Sequence, residues 1–158
     1  MGRILLFEDE GHLKEDLRKD LQKEHEVIFA TDCTNALGLW EQSNGKFDCI
    51  ILDLNMSLTG LDEEEQIDYF PIHGILVLDK ICERKIPRWE SKTIIEKKSE
   101  IWKKTIVYSA YIENLEDKHE QVPFPYFHFL KCVHKNNANS KDELMNAIND
   151  HFKGRILL

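Results

Sequence analysis

The sequence lacks the features that mark membrane, secreted or metal-cluster proteins. No apolar run approaches the roughly 18 residues of a membrane-spanning helix, and the apolar stretch before Glu8 is too short for a secretion signal. No Cys-x-x-Cys pair occurs, so a zinc site or a redox motif is not expected. We therefore expect a cytoplasmic protein that keeps its four scattered cysteines as reduced thiols.

The 158 residues suffice for one domain, 1–158, but not for two of ordinary size. The formal net charge of −8 predicts no nucleic-acid partner and no anionic membrane partner. The charge is uneven, because residues 57–73 hold five acids and no Lys or Arg, whereas residues 83–104 hold eight Lys or Arg against four Glu. A solvated surface is the simplest interpretation of both segments.

Apolar runs of strand length alternate with helical patterns along the chain, which is typical of a parallel α/β sheet. The predicted strands cover residues 4–7, 27–30, 49–53, 105–109 and 126–130. Helical periodicity of apolar residues between them predicts five main helices, with an additional short helix near 94–102. The predicted fold is a doubly wound, five-stranded parallel sheet with helices on both faces, in three α/β/α layers.

Polar side chains that could take part in a chemical reaction follow the predicted strands. Glu8 and Asp9 come after the first strand, Asp53 ends the third, Ser109 ends the fourth and Lys131 ends the predicted fifth. These strand ends converge at one edge of such a sheet. Three carboxylates there would repel one another, and a hard cation such as Mg²⁺ would relieve the repulsion. One carboxylate could then accept a phosphoryl group whose charge a metal, a lysine and a hydroxyl stabilise.

Each of these residues also has an ordinary structural explanation. Acids that follow a strand commonly cap the next helix, an isolated lysine is usually a surface residue, and a single serine is unremarkable. The argument therefore depends on the ordered set and not on any one member.

That ordered set resembles response-regulator receiver domains. Phe-Glu-Asp-Glu (7–10) is similar to the acidic pair that opens them, and Ile-Ile-Leu-Asp-Leu-Asn-Met (50–56) resembles their phosphoacceptor segment. Ile-Val-Tyr-Ser-Ala (106–110) resembles the strand with their switch hydroxyl, and Phe-Leu-Lys (129–131) resembles the strand with their invariant lysine. The resemblance spans nearly the whole chain apart from two insertions, at about 57–73 and 86–103. It implies a doubly wound sheet of the flavodoxin type, with the strand order 2-1-3-4-5.

The resemblance implies a role for each matching residue. Asp53 would be the phosphoacceptor, and Ser109 and Lys131 would hold the phosphoryl oxygens. Mg²⁺ would be bound by Asp9, by Asp53 and by the main-chain carbonyl of Asn55, with Glu8 acting through a metal-bound water.

The chain also departs from the family pattern. In the family, an aromatic residue on strand five changes rotamer, and the corresponding position here is His128. The family has a proline after the methionine that corresponds to Met56 and another after its lysine, whereas this chain has Ser57 and Cys132 at these positions. Residues 57–73 leave the third strand at the active-site end, so we expect this acidic segment beside the metal.

The resemblance implies a stand-alone module, without enzymatic turnover of its own, that takes a phosphoryl group from a histidine kinase or a phosphotransfer protein. It would signal to a downstream protein target by contact. A pseudo-receiver that acts without phosphorylation stays open as the alternative. A phosphatase with an aspartyl nucleophile is disfavoured, because its general acid would have to stand where Asn55 is.

Overall fold

The computed structural model describes residues 2–7, 11–57, 59–121 and 127–156. Five parallel strands form one sheet in the order β2-β1-β3-β4-β5, which confirms the predicted topology. The strands are β1 (Arg3–Phe7), β2 (Glu26–Ala30), β3 (Cys49–Leu52), β4 (Thr105–Ser109) and β5 (Lys131–His134).

The helices connect these strands and cover the sheet. They are α1 (Gly11–Gln22), α2 (Cys33–Gln42), α3 (Glu63–Asp68), α4 (Ile75–Glu83), α5 (Ile94–Lys103), α6 (Ile112–Gln121) and α7 (Ser140–Ile156). Two short 3-10 turns, Pro87–Trp89 and Phe127–Phe129, lie in the connections before α5 and β5.

Alternation along the strands divides the buried side chains between the two faces of the sheet. Ile4 and Leu6 of β1 pack with residues of α1 and α7, whereas Leu5 and Phe7 pack with residues of α2, α4, α5 and α6. Every residue of β3 is buried, as expected for a central strand covered on both sides. The helices thus form the two outer layers of the predicted α/β/α arrangement.

Three parts of the chain differ from the sequence prediction. The predicted strand at 126–130 begins one residue outside the described part of the chain, and the rest of it is wrong, because Phe127–Phe129 forms a 3-10 turn and β5 begins at Lys131. The sequence of the insertion 57–73 has no clean helical period and predicts a loop, but the segment contains the short helix α3. The apolar residues Ile94, Ile95, Ile101 and Trp102 predict one apolar face for α5, but Ile101 and Trp102 are buried whereas Ile94 and Ile95 are exposed.

Within the described residues, no helix is both long and apolar enough to cross a membrane.

His25 lies in the turn between α1 and β2, and its surroundings should make the stability of the fold depend on pH. Its Nδ1 accepts a hydrogen bond from the backbone N–H of Gly2 at 3.1 Å, and its ring stacks on Phe152 at 4.6 Å. Burial lowers the pKa of His25, since a desolvated imidazole resists charging. The unfolded chain then takes up the proton more readily than the folded chain.

We therefore expect the free energy of unfolding to fall as the pH drops below about 6.5, the ordinary histidine pKa. His25→Phe keeps an aromatic ring on Phe152 and removes the titrating group, so its stability should fall less over the same range. Urea denaturation between pH 8 and pH 5 measures both. Parallel curves for the two proteins would contradict the assignment.

Candidate functional site

Three strand ends bring the candidate residues to one edge of the sheet. Asp53 follows β3 directly, Ser109 is the last residue of β4, and Lys135 follows β5 directly. Since β3 pairs with β4 and β4 pairs with β5 in parallel, these residues come from adjacent strands. The fold thus collects side chains from positions 53, 109 and 135 in one place.

The carboxylate of Asp53 is the centre of this group. Its residue is only 5% exposed, and both carboxylate oxygens accept hydrogen bonds. Oδ1 accepts from Ser109 Oγ at 2.8 Å and from the backbone N–H of Asn55 at 3.3 Å. Oδ2 accepts from Lys135 Nζ at 2.9 Å. A buried carboxylate needs such partners, because desolvation strongly disfavours an unpaired charge.

Ser109 links Asp53 to the backbone on both sides of the site. Its side chain is fully buried, and its Oγ accepts hydrogen bonds from the backbone N–H of Leu54 at 3.4 Å and of Tyr111 at 3.2 Å. With both acceptor positions of the hydroxyl used, its hydrogen is directed to Asp53. Ser109 therefore stands as a preoriented donor at the carboxylate.

Lys135 is held close to the sheet along its whole length. Its backbone N–H donates to the carbonyl of Ser109 at 3.1 Å, and its Nζ lies 5.3 Å from the centroid of the Tyr108 ring. The Lys135 and Asp53 side chains are 8% and 6% exposed, so this ion pair is largely shielded from water. A fixed ammonium group at this distance can stabilise negative charge that develops on or beside the carboxylate.

The prediction that Lys131 reaches Asp53 is wrong. Lys131 pairs with Ile106 near the start of β4, at the opposite end of the sheet, and its side chain is exposed. It lines a cavity of about 280 Å³ there, together with Thr105 and His151. Four residues of strand correspond to about 13 Å, so Lys135 and not Lys131 occupies the position beside Asp53.

The aromatic run caused this error. Residues 126–130 have a higher strand propensity than Lys131–His134, yet Leu130 donates its N–H to Phe127 and closes a turn. A sequence signal could have corrected the register, since Asn136 and Asn137 mark a turn and the lysine directly before that turn is Lys135.

The same shift moves the expected switch position. His128 lies in the 3-10 turn, is exposed, and packs on the neighbouring Phe129 ring at 4.1 Å. Counting the same three residues back from Lys135 leads to Cys132, a partly buried thiol on β5 whose pKa burial raises to about 11. Neither position holds the Tyr or Phe of the family pattern, and Asn136 replaces the family's proline after the lysine.

The predicted metal ligands are described only in part. Glu8 and Asp9 lie outside the described residues, although β1 ends at Phe7 directly before them. Asp53 and Asn55 are at the site, and they offer hard oxygen donors that suit Mg²⁺. Among the described residues, no group of three or more His, Cys, Asp and Glu side chains is arranged to hold a metal.

The acidic insertion is attached to this edge at both of its ends. Ser57 forms a parallel bridge with Asp32, and at the far end His73 hydrogen-bonds the carbonyl of Met56. Within α3, Asp62 and Glu65 form a capping box, and Glu65 also pairs with Lys80 at 2.9 Å. These two acids stabilise the helix, whereas Glu63 and Glu64 are exposed to solvent.

Comparison with known proteins agrees with this fold. The chain is similar to the receiver domain of a Francisella response regulator, at 20% identity over 98% of this chain and 99% of that one, with a TM-score of 0.60. A Clostridium thermocellum receiver domain matches at 17% identity over 100% of both chains, with a TM-score of 0.58.

The Thermotoga maritima response regulator TrrA, solved in complex with Mg²⁺ and beryllofluoride, matches at 23% identity over 96% and 99% of the two chains, with a TM-score of 0.57. No family model and no curated protein matches the sequence. The chain therefore has the receiver-domain fold.

The two lysines form a matched pair that tests the site. If Asp53 accepts a phosphoryl group, as the resemblance implies, we expect Lys135→Ala to slow its reaction with acetyl phosphate on the order of 100-fold, because one preorganised donor is lost. Lys131→Ala removes the same charge about 13 Å away along the strand and should leave the rate unchanged. Intact-mass spectrometry over time measures both, and a larger effect at Lys131 would refute the assignment.

Proposed function

We propose that this chain is a response-regulator receiver domain that accepts a phosphoryl group on Asp53. The observation that carries the proposal is the contact of Ser109 and Lys135 with the two oxygens of one buried carboxylate. A structural ion pair needs only the lysine, whereas a phosphoryl transfer needs donors for several oxygens at once. The receiver-domain fold of the chain supports the same function.

In the proposed reaction, a carboxylate oxygen of Asp53 forms the new bond to phosphorus. The bond between phosphorus and the donor atom breaks, and the donor retains its electron pair. Negative charge on the transferred group lies on its equatorial oxygens. The Ser109 hydroxyl and the Lys135 ammonium group, which now donate to the carboxylate, would donate to these oxygens.

Mg²⁺ is part of the proposal. The described oxygen donors, the Asp53 carboxylate and the Asn55 carbonyl, fit this ion, and Asp9 and Glu8 would complete the site. The ion would supply positive charge that screens the donor from the carboxylates. Lys135 already pairs with the charge of Asp53. The lysine and the metal ion would therefore both neutralise the negative charge of the site.

The proposed partners follow from the likeness to receiver domains. A histidine kinase or a phosphotransfer protein would be the phosphodonor, and a downstream protein would read the phosphorylated state. The proposed role is that of a phosphoacceptor in the cytoplasm, without phosphomonoester turnover. The cysteines Cys33, Cys49, Cys82 and Cys132 are free thiols, which agrees with a reducing compartment.

Phosphorylation of Asp53 can be tested directly. With acetyl phosphate and Mg²⁺, the protein should gain the mass of one phosphoryl group, and Asp53→Asn should gain none. Ser109→Ala is a useful second variant, because it removes one donor and keeps the acceptor. Wild-type protein that gains no mass, with this donor or with a histidine-phosphorylated donor, would favour the pseudo-receiver alternative.

The acidic insertion should affect how fast anionic donors react. Because its two ends meet the Asp53 edge, the charges of Glu63 and Glu64 should repel acetyl phosphate at low ionic strength. Glu63→Gln with Glu64→Gln should raise the phosphorylation rate a few fold in low salt and leave it unchanged in high salt.

The matched control is the pair Glu83→Gln with Glu90→Gln, whose side chains are exposed. Glu83 ends α4 and Glu90 follows the Pro87–Trp89 turn, where Arg88 contacts Asn44 ahead of β3, at the opposite end of the sheet from Asp53. Asp62 and Glu65 are kept, because their loss would unfold α3 through the capping box. Rates that do not depend on salt or on the substitutions would count against the electrostatic effect.

A further inference from the structure

His73 is a buried polar residue with no role in the proposed reaction. It ends the insertion, only 1% of its surface is exposed, and its Nε2 hydrogen-bonds the carbonyl oxygen of Met56. Because a carbonyl can only accept, Nε2 must carry the proton. His73 Nδ1 is also buried, and it has no hydrogen-bond partner among the described residues.

The next residue, Gly74, makes a second contact with the same loop. Its backbone N–H donates to the carbonyl of Leu54 at 2.7 Å. A Cβ at this position would lie 2.8 Å from that carbonyl oxygen and still closer to the carbonyl of Asp53. Only glycine therefore allows the start of α4 to approach the loop that follows Asp53.

These two contacts hold the peptide units on both sides of the Asn55–Met56 peptide, which carries the Asn55 carbonyl. The carbonyl of Leu54 is bound by Gly74 and the carbonyl of Met56 by His73, while the N–H of Asn55 is bound by Asp53 Oδ1. With its neighbours fixed, the Asn55 peptide has little freedom to turn. The direction of its carbonyl, which is the proposed main-chain metal ligand, is set by this arrangement.

We propose that His73 is a positioning residue, which fixes the loop 54–56 so that the Asn55 carbonyl is aimed at the metal. The inference rests on the proposed function. Packing alone explains His73 poorly, because an apolar side chain could fill the site without burying an unpaired nitrogen. Groups that orient a metal ligand typically change metal affinity 10–100-fold when they are removed.

The test is titration of the full chain with Mg²⁺ alone by calorimetry. His73→Leu should weaken Mg²⁺ binding by about 10-fold or more, and His73→Gln, which keeps an N–H donor, should restore most of the affinity. The matched control is His151→Leu, because His151 Nε2 also donates to a backbone carbonyl, that of Asp48, at 2.7 Å. His151 lies near the opposite end of the sheet, beside the same cavity as Lys131.

Urea denaturation of every variant separates lost metal binding from lost stability. Equal Mg²⁺ affinity in His73→Leu and wild type, or an equal loss in His151→Leu, overturns the inference. If His73→Leu does not fold, Gly74→Ala decides, because its Cβ would displace the loop 54–56 from the other side, at the carbonyls of Asp53 and Leu54. Undiminished Mg²⁺ affinity in Gly74→Ala would show that the position of this loop does not set metal binding, and it overturns the inference. Wild-type protein that binds no Mg²⁺ overturns the inference together with the metal site of the proposed function, whereas a change confined to the His73 variants supports it.

Discussion

The buried carboxylate of Asp53 is the constraint on which the site depends. A carboxylate this shielded from water is stable only with hydrogen-bond donors and a compensating charge. The donors come from three places: Ser109 at the end of β4, the backbone of Asn55 in the loop after β3, and Lys135 directly after β5. These contacts join three adjacent strand ends. The same donors that stabilise the buried Asp53 carboxylate in the folded chain also stand where the proposed phosphoryl group would bind. One set of donors therefore serves both stability and the proposed chemistry.

The position of Lys135 depends on the register of an edge strand. β5 contributes four residues, of which Val133 is buried and Lys131 exposed. Its ladder of hydrogen bonds with β4 places His134 opposite Ser109, so that the next residue reaches Asp53. Register fixes which side chain stands at the strand end. Because the predicted fifth strand ended four residues too early, the prediction placed Lys131 where the structure has Lys135. The sequence predicted a lysine beside Asp53, and the structure has one there, but it is Lys135 and not Lys131.

The insertion is more than an acidic surface segment. Its two ends meet the candidate site, and its last residue, His73, contacts the loop that follows Asp53. Two of its acids, Asp62 and Glu65, are used to form α3 and to anchor it on Lys80 of α4. The remaining exposed acids lie on a helix that is held by its cap and this ion pair. Movement of the insertion would therefore shift the backbone around Asn55, through the contact of His73 with Met56.

The sequence by itself determined the alternation of strands and helices, the three-layer fold, and the places of Asp53 and Ser109 at strand ends. These follow from apolar runs and helical periodicity, which are local patterns and are strong in a buried parallel sheet. Two features were decided only by the tertiary structure: the choice of Lys135 over Lys131, and the contact of His73 with the Met56 carbonyl. Both depend on pairing between distant segments. A short, partly exposed edge strand and an insertion without periodicity carry too little local pattern to reveal such pairing.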